Sequence, residues 1–110
     1  MPQIIDYTVS GSTENEEWIV VHNSDANLTV TDGNTVVLAT SGTGNVSIFL
    51  PAAADNVNRV IIVKKMDSAN TVTIDPNASE TVDGNTTHPI TTQYESVIMS
   101  CDGSNWNIVN

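Results

Sequence analysis

Short apolar runs alternate with short polar runs along most of the chain, and each pair of runs is only a few residues long. The runs predict strands, because they are short, rich in β-branched residues and bounded by turn signals, and none has the period of a helix. Asp32-Gly33 predicts a tight turn, and Pro51 ends a strand because proline donates no ladder hydrogen bond. In the first half, the predicted strands are Trp18 to His22, Leu28 to Val30, Thr35 to Ala39 and Asn45 to Leu50.

The second half of the chain repeats the first. The segment 18–30 aligns with 60–72 at an offset of 42 or 43 residues, and Asp-Gly-Asn-Thr occurs at both 32–35 and 83–86. We predict one compact antiparallel domain, built like a β-sandwich or β-prism from pseudo-repeats 18–58 and 59–110, with little or no helix. A partly open barrel fits the same strand spacing. Residues 1–17 are weakly patterned and form an N-terminal arm or an edge strand in this interpretation.

Composition strengthens the all-β prediction. Val, Thr and Ile supply 14, 14 and 10 of the 110 residues, and these β-branched side chains favour pleated strands over helices. The chain is long enough for one domain and too short for two separate cores. The 13 Asn residues indicate many turns.

The net charge of the chain limits the classes of partner that it can bind. Thirteen carboxylates against three basic residues leave a formal charge of −10, which argues against binding to nucleic acid or to anionic membranes. Cys101 is the only cysteine, and we interpret it as structural. The sequence has no calcium-loop motif and no paired catalytic acids that can be recognised, so we expect no enzyme, no catalytic or metal-binding residues and no cofactor.

A family resemblance covers Ile48 to Val109, rather more than half of the chain. This part resembles a small virion module of tailed bacteriophages, which occurs in capsid decoration or cement (knob) proteins and in tail-fibre proteins. The segments that carry the resemblance are Ile48 to Ala53, Arg59 to Lys65, Asn70 to Pro76, Glu80 to Gly84, Gln93 to Val97 and Ser100 to Ile108.

The resemblance implies a homotrimeric, non-enzymatic protein of the virion. We expect a capsid decoration protein that binds the major capsid protein on the outer head surface and stabilises the shell, after assembly in the host cytoplasm. A tail-fibre module that is associated with tail proteins and recognises host-surface glycans is the alternative. The chain begins at Met1 and ends next to its last predicted strand, which favours a free-standing decoration protein over a long fibre.

Five residues are candidates for contact with the capsid or with a neighbouring subunit. Ile4, Ile5 and Tyr7 are apolar residues of the N-terminal arm, and Lys64 and Lys65 are the only lysines. The lysines could pair with carboxylates across a subunit boundary or could protect an edge strand from pairing, and we favour the second role.

Trp18 and Trp106 are candidate aromatic anchors. A tryptophan can pack in a core or a subunit interface, or it can present its face to a sugar ring. We favour the anchor interpretation for both residues and keep the glycan platform as the alternative.

Overall fold

The strands alternate between two sheets as the chain proceeds. The computed structural model describes residues 19–31 and 33–110, and these residues form nine strands and one turn of 3-10 helix at Ala53–Asp55. The strands are β1 (Ile19–Ser24), β2 (Leu28–Thr29), β3 (Asn34–Ala39), β4 (Val46–Phe49), β5 (Val60–Lys65), β6 (Val72–Asp75), β7 (His88–Ile90), β8 (Ser96–Cys101) and β9 (Trp106–Ile108).

The first six strands make three stacked coils. β1, β3 and β5 lie side by side in parallel in a five-stranded sheet of order β1-β3-β5-β8-β9. β2, β4 and β6 do the same in a four-stranded sheet of order β2-β4-β6-β7. Each coil therefore places one strand in each sheet before the chain returns to the next level, as in a short β-solenoid. The last three strands pair antiparallel and extend both sheets.

The structure confirms an all-β, sandwich-like domain with almost no helix, but its sheets are mixed and not antiparallel throughout. The antiparallel prediction holds for β5–β8, β6–β7 and β8–β9. It fails for the coils, because after each strand the chain crosses to the other sheet and comes back in the original direction. An inside–outside alternation of side chains is the same in both kinds of sheet and carries no information about direction.

The predicted repeat has a structural counterpart in part. β1 and β5, which align in sequence, occupy the same sheet on either side of β3. The unit that recurs in space is the two-strand coil, and the boundaries of the two predicted pseudo-repeats stay a prediction. The predicted arm, residues 1–17, and Trp18 lie outside the described residues.

The core lies between the two sheets and consists of alternate residues from each strand. In β5, for example, Ile61 and Val63 are fully buried while their neighbours on the other side of the strand are partly exposed. Burial of one such aliphatic side chain contributes roughly 1.5–3 kcal/mol. The largest buried apolar side chains are Trp106, Ile48, Ile61, Ile74, Ile90 and Met99.

Three asparagines join one coil to the next at the corners. Each lies immediately before the first paired residue of a parallel strand pair, and its side-chain oxygen accepts the backbone N–H of the equivalent residue in the following coil. Each of these bonds continues the hydrogen-bond ladder by one residue, and for the half-buried N–H of Val60 the loss of an acceptor would be costly. The bonds run to Asn27 from Ser47 (2.8 Å), to Asn34 from Val60 (3.0 Å) and to Asn45 from Thr71 (3.0 Å).

We expect Asn34→Ala to destabilise the fold, because the N–H of Val60 loses its acceptor. The free energy of unfolding from urea titration should fall by about 1–2 kcal/mol. Asn77→Ala, at an exposed turn, is the matched control and should change it far less. Equal losses in the two variants would contradict a structural role for the coil-to-coil bond.

Candidate docking surface

The outer face of the five-stranded sheet carries a continuous row of aliphatic side chains. The strand register places Val21 beside Val36, Val36 beside Ile62 and Ile62 beside Ile98. Each of the four is partly exposed, whereas its in-strand neighbours on the other side of β3, β5 and β8 are buried. The row therefore crosses four strands on the side that points away from the core.

Other apolar residues broaden this row. Ile19 is 44% exposed at the start of β1, and Val60 and Leu38 occupy outward positions in β5 and β3. A groove of about 140 Å³ lies between Ile19, Val36, Val60 and Ile62 and is also lined by Asn34 and Thr35. We call this surface the aliphatic face, defined by Ile19, Val21, Val36, Leu38, Val60, Ile62 and Ile98.

The outer face of the four-stranded sheet differs in character. Its outward positions in β4 and β6 include the polar residues Ser47 and Thr73 and the carboxylate of Asp75. Phe49 is its exposed aromatic residue, at 37%. An inward-apolar, outward-polar strand is the usual pattern for a sheet with one face in water. Of the two described sheets, the five-stranded one therefore has the more apolar outer face, and burial of that face against another surface would be favourable.

The aliphatic face is also free of negative charge within its strands. All five strands of the sheet lie within the described residues, and none contains Asp or Glu. Lys64 occupies an outward position at one end of the face, with its Nζ atom 5.4 Å from the centre of the Tyr94 ring. Tyr94 is 59% exposed and has a φ of 67°, a backbone conformation that aromatic residues rarely adopt. One edge of the aliphatic face therefore carries the positive charge of Lys64 and the exposed aromatic ring of Tyr94.

Lys65 lies in the interior, not on a surface where a capsid or a subunit could touch it. Its side chain is 0% exposed, and its Nζ atom donates to the backbone oxygens of Asp67 (2.6 Å) and Ala69 (2.8 Å) and to Asp67 Oδ1 (3.1 Å). This corrects the expectation that Lys65 is a contact residue or protects an edge. Alternation along β5 explains the position, because Ile61, Val63 and Lys65 all point inward. Lys64 is the lysine that faces outward.

The buried lysine belongs to a network that closes one corner of the coils. The backbone N–H of Ser41 donates to Asp67 Oδ2 (3.1 Å), and Ser41 Oγ lies 3.0 Å from Asp67 Oδ1 and 2.6 Å from the Ala69 oxygen. Asn70 donates to the Ser41 oxygen at 2.7 Å. Partial burial raises the pKa of Asp67, but the hydrogen bonds from Lys65 and Ser41 outweigh it and hold that pKa below 3.8. The network joins the loop after β3 to the loop after β5.

Trp106 is a core anchor. Its side chain is 0% exposed and its indole N–H meets no acceptor among the described residues, so the ring cannot stack on a sugar in this structure. Trp18, Ile4, Ile5 and Tyr7 lie outside the described residues, and their predicted roles stay predictions. The structure therefore brings Lys64 to the aliphatic face and separates it from Lys65 and Trp106.

The cysteine is buried as well. The Sγ atom of Cys101 donates to the oxygen of Ala53 at 3.3 Å, and burial raises the pKa of its thiol above the ordinary value. Among residues 19–31 and 33–110, no group of three or more His, Cys, Asp or Glu side chains is placed to hold a metal ion. In the same part of the chain, no helix has the length and apolar character needed to cross a membrane.

Comparison with known proteins adds no relative. No protein-family model matches the chain, and no curated protein matches its sequence.

The sequence analysis did not predict the aliphatic face, because it considered only the inward residues of each strand. The signal was present in the unbroken apolar run Val60 to Val63, because strands covered on both faces read as continuous apolar stretches. Period-two alternation through Val63 would also have placed Lys65 inside.

We expect Asp67→Ala to destabilise the fold more than Lys65→Met. Removal of Asp67 leaves a buried ammonium without its counter-charge, whereas Lys65→Met removes the buried charge and keeps an apolar side chain of similar length. Urea midpoints of the two variants at neutral pH provide the measurement. A lower midpoint for Lys65→Met would show that the lysine contributes chiefly as a hydrogen-bond donor to the backbone.

We expect low pH to weaken the network of Lys65, Asp67 and Ser41 and so to lower the free energy of unfolding. A carboxyl group whose pKa is lower in the folded state stabilises the fold above its unfolded pKa, and that contribution disappears as the pH falls through the folded value. For Asp67, the loss is expected below pH 3.8, so Asp67→Asn should show a shallower fall in stability there than the wild type. Asp25→Asn, at an exposed turn, is the control. Identical slopes for wild type and Asp67→Asn would contradict the account.

Proposed function

We propose that this chain is a structural protein of a tailed-bacteriophage virion and that it decorates the outer surface of the capsid as a trimer. The observation that carries the proposal is the aliphatic face, an apolar surface whose strands contain no Asp or Glu, on a protein of charge −10. Such a surface favours a protein that works in an assembly. The segment 48–109 resembles a phage virion module, and this resemblance favours a virion as the assembly.

The physical basis of decoration is repeated binding. A capsid presents symmetric sites, and a trimer on a threefold position makes three equivalent contacts with the major capsid protein. Each contact can be weak, since the first raises the effective concentration of the others. The bound trimer covers the shell, bridges neighbouring capsomers and resists the pressure of the packaged DNA.

The internal bonding of the coils suits that role. The Asn27, Asn34 and Asn45 bonds and the Lys65 network join successive coils at their corners. A module whose coils are fixed in this way transmits load between its contacts without unfolding one coil at a time. Function in this proposal is binding alone, with no catalytic step.

The glycan-binding alternative has less support from the described residues. It relied on an exposed tryptophan as a stacking platform, and Trp106 is fully buried. Trp18, the other candidate platform, lies outside the described residues. We therefore place the decoration role first.

Light scattering on the purified full chain should give a mass of about 35 kDa, three times the 11.7 kDa of one chain, as expected for a closed trimer. A mass of one chain at every concentration would contradict the trimer.

The location is tested separately, with gold-labelled antibody on purified virions of a phage that encodes the chain. Label over the head supports decoration, and label confined to the tail would overturn it in favour of the fibre role.

A further inference from the structure

We propose that copies of this chain pack against one another through the aliphatic face. The inference rests on the trimer of the proposed function and names its interface. The partner that covers Val21, Val36, Ile62 and Ile98 is the same surface of neighbouring copies. The capsid then contacts a different part of each subunit.

The first argument is the composition of the strands. In β5 the apolar run Val60 to Val63 continues through inward and outward positions alike, and β3 and β8 contain the outward Val36 and Ile98. Strands of this kind are typical of sheets covered on both faces. The four-stranded sheet covers one face in a single chain. The other face is apolar without a cover among the described residues.

The second argument is charge, and it selects a second copy as the cover. Two copies of a chain with a charge of −10 repel each other wherever their carboxylates meet. β1, β3, β5 and β8, the four strands that carry the aliphatic row, contain no Asp or Glu, so copies can approach along the row without desolvating an anion. The exposed carboxylate of Asp102, which bonds the side chain of Asn107 in β9, lies beyond the end of the row. The opposite sheet carries Asp75 on its outward side. The one outward cation of the face, Lys64, lies at the end of its strand and can stay at a solvated rim.

The third argument is symmetry. Three identical sheets can face one threefold axis as the sides of a prism, and each sheet then touches both of its neighbours. An aliphatic row suits this arrangement, because apolar contacts are non-directional and need no complementary charge on the partner. The row crosses the sheet from β1 to β8 and can meet two neighbours along its length.

The test compares two aspartate variants of the full chain by light scattering and far-UV circular dichroism. Ile62→Asp places a carboxylate in the centre of the aliphatic face, and Thr73→Asp places the same charge at a partly exposed outward position of β6 on the opposite sheet. We expect Ile62→Asp to stay folded and to weaken association by at least about 100-fold, since its carboxylate is desolvated without a partner. Thr73→Asp should remain a trimer.

A second variant covers the case in which Ile62→Asp does not fold. The double substitution Val36→Thr and Ile98→Thr keeps a β-branched side chain at two outward positions. It exchanges a methyl group for a hydroxyl at residue 36 and an ethyl group for a hydroxyl at residue 98. It leaves the core unchanged and should shift the trimer toward monomer, with a dissociation constant raised at least about 10-fold.

The outcomes separate this inference from the proposed function. A wild-type trimer that persists in both face variants would overturn the aliphatic face as the interface and leave the trimer standing. A wild-type dimer that Ile62→Asp dissociates would keep the face and overturn the trimer. A wild-type monomer at every concentration would overturn both. If that monomer also bound no hydrophobic dye, residues 1–18 of the same chain would be the cover.

Discussion

The structure depends on keeping stacked coils in register at corners where the strand ladders stop. Parallel strands in successive coils align their inward residues only if the corners hold, and at each corner some backbone N–H groups lose their ladder partners. The oxygens of Asn27, Asn34 and Asn45 take those hydrogen bonds, and the ammonium of Lys65 gathers two carbonyls and a carboxylate at another corner. With the corners fixed, inward residues of both sheets, such as Ile48 and Ile61, are buried in one core.

The strand positions and the all-β class were predictable, and the direction of pairing was not. Runs rich in β-branched residues, such as Thr35 to Ala39, correspond closely to strands such as β3, in which burial alternates with a period of two. That period is shared by parallel and antiparallel sheets. The crossings between sheets depend on which loops pack together, and a turn signal in the sequence predicts a bend but not the strand to which the chain goes next.

The residues of the candidate site could be predicted from the sequence only in part. Both lysines were predicted as contact residues, and the contact made by Lys64 stays a prediction. Lys65 is buried by the alternation of β5, and the loop that brings Asp67 and Ala69 to its ammonium group has no signal in the sequence. The asparagines were interpreted as turn formers. Three of them also accept hydrogen bonds from the next coil, and the sequence alone does not indicate this role. The apolar run Val60 to Val63 contained the signal for an outward face that needs a cover, and the strand register turns that run into a row across the sheet.

We propose that this acidic all-β protein assembles through the sheet whose strands contain no Asp or Glu and that it decorates the head of a virion. A cryo-electron microscopy map of virions that carry the chain tests both parts at once. The account predicts three copies around each occupied threefold position on the outer head surface, with the sheets that contain Ile62 facing the axis. Density only in the tail, or subunits on the head with these sheets turned to solvent, would contradict it.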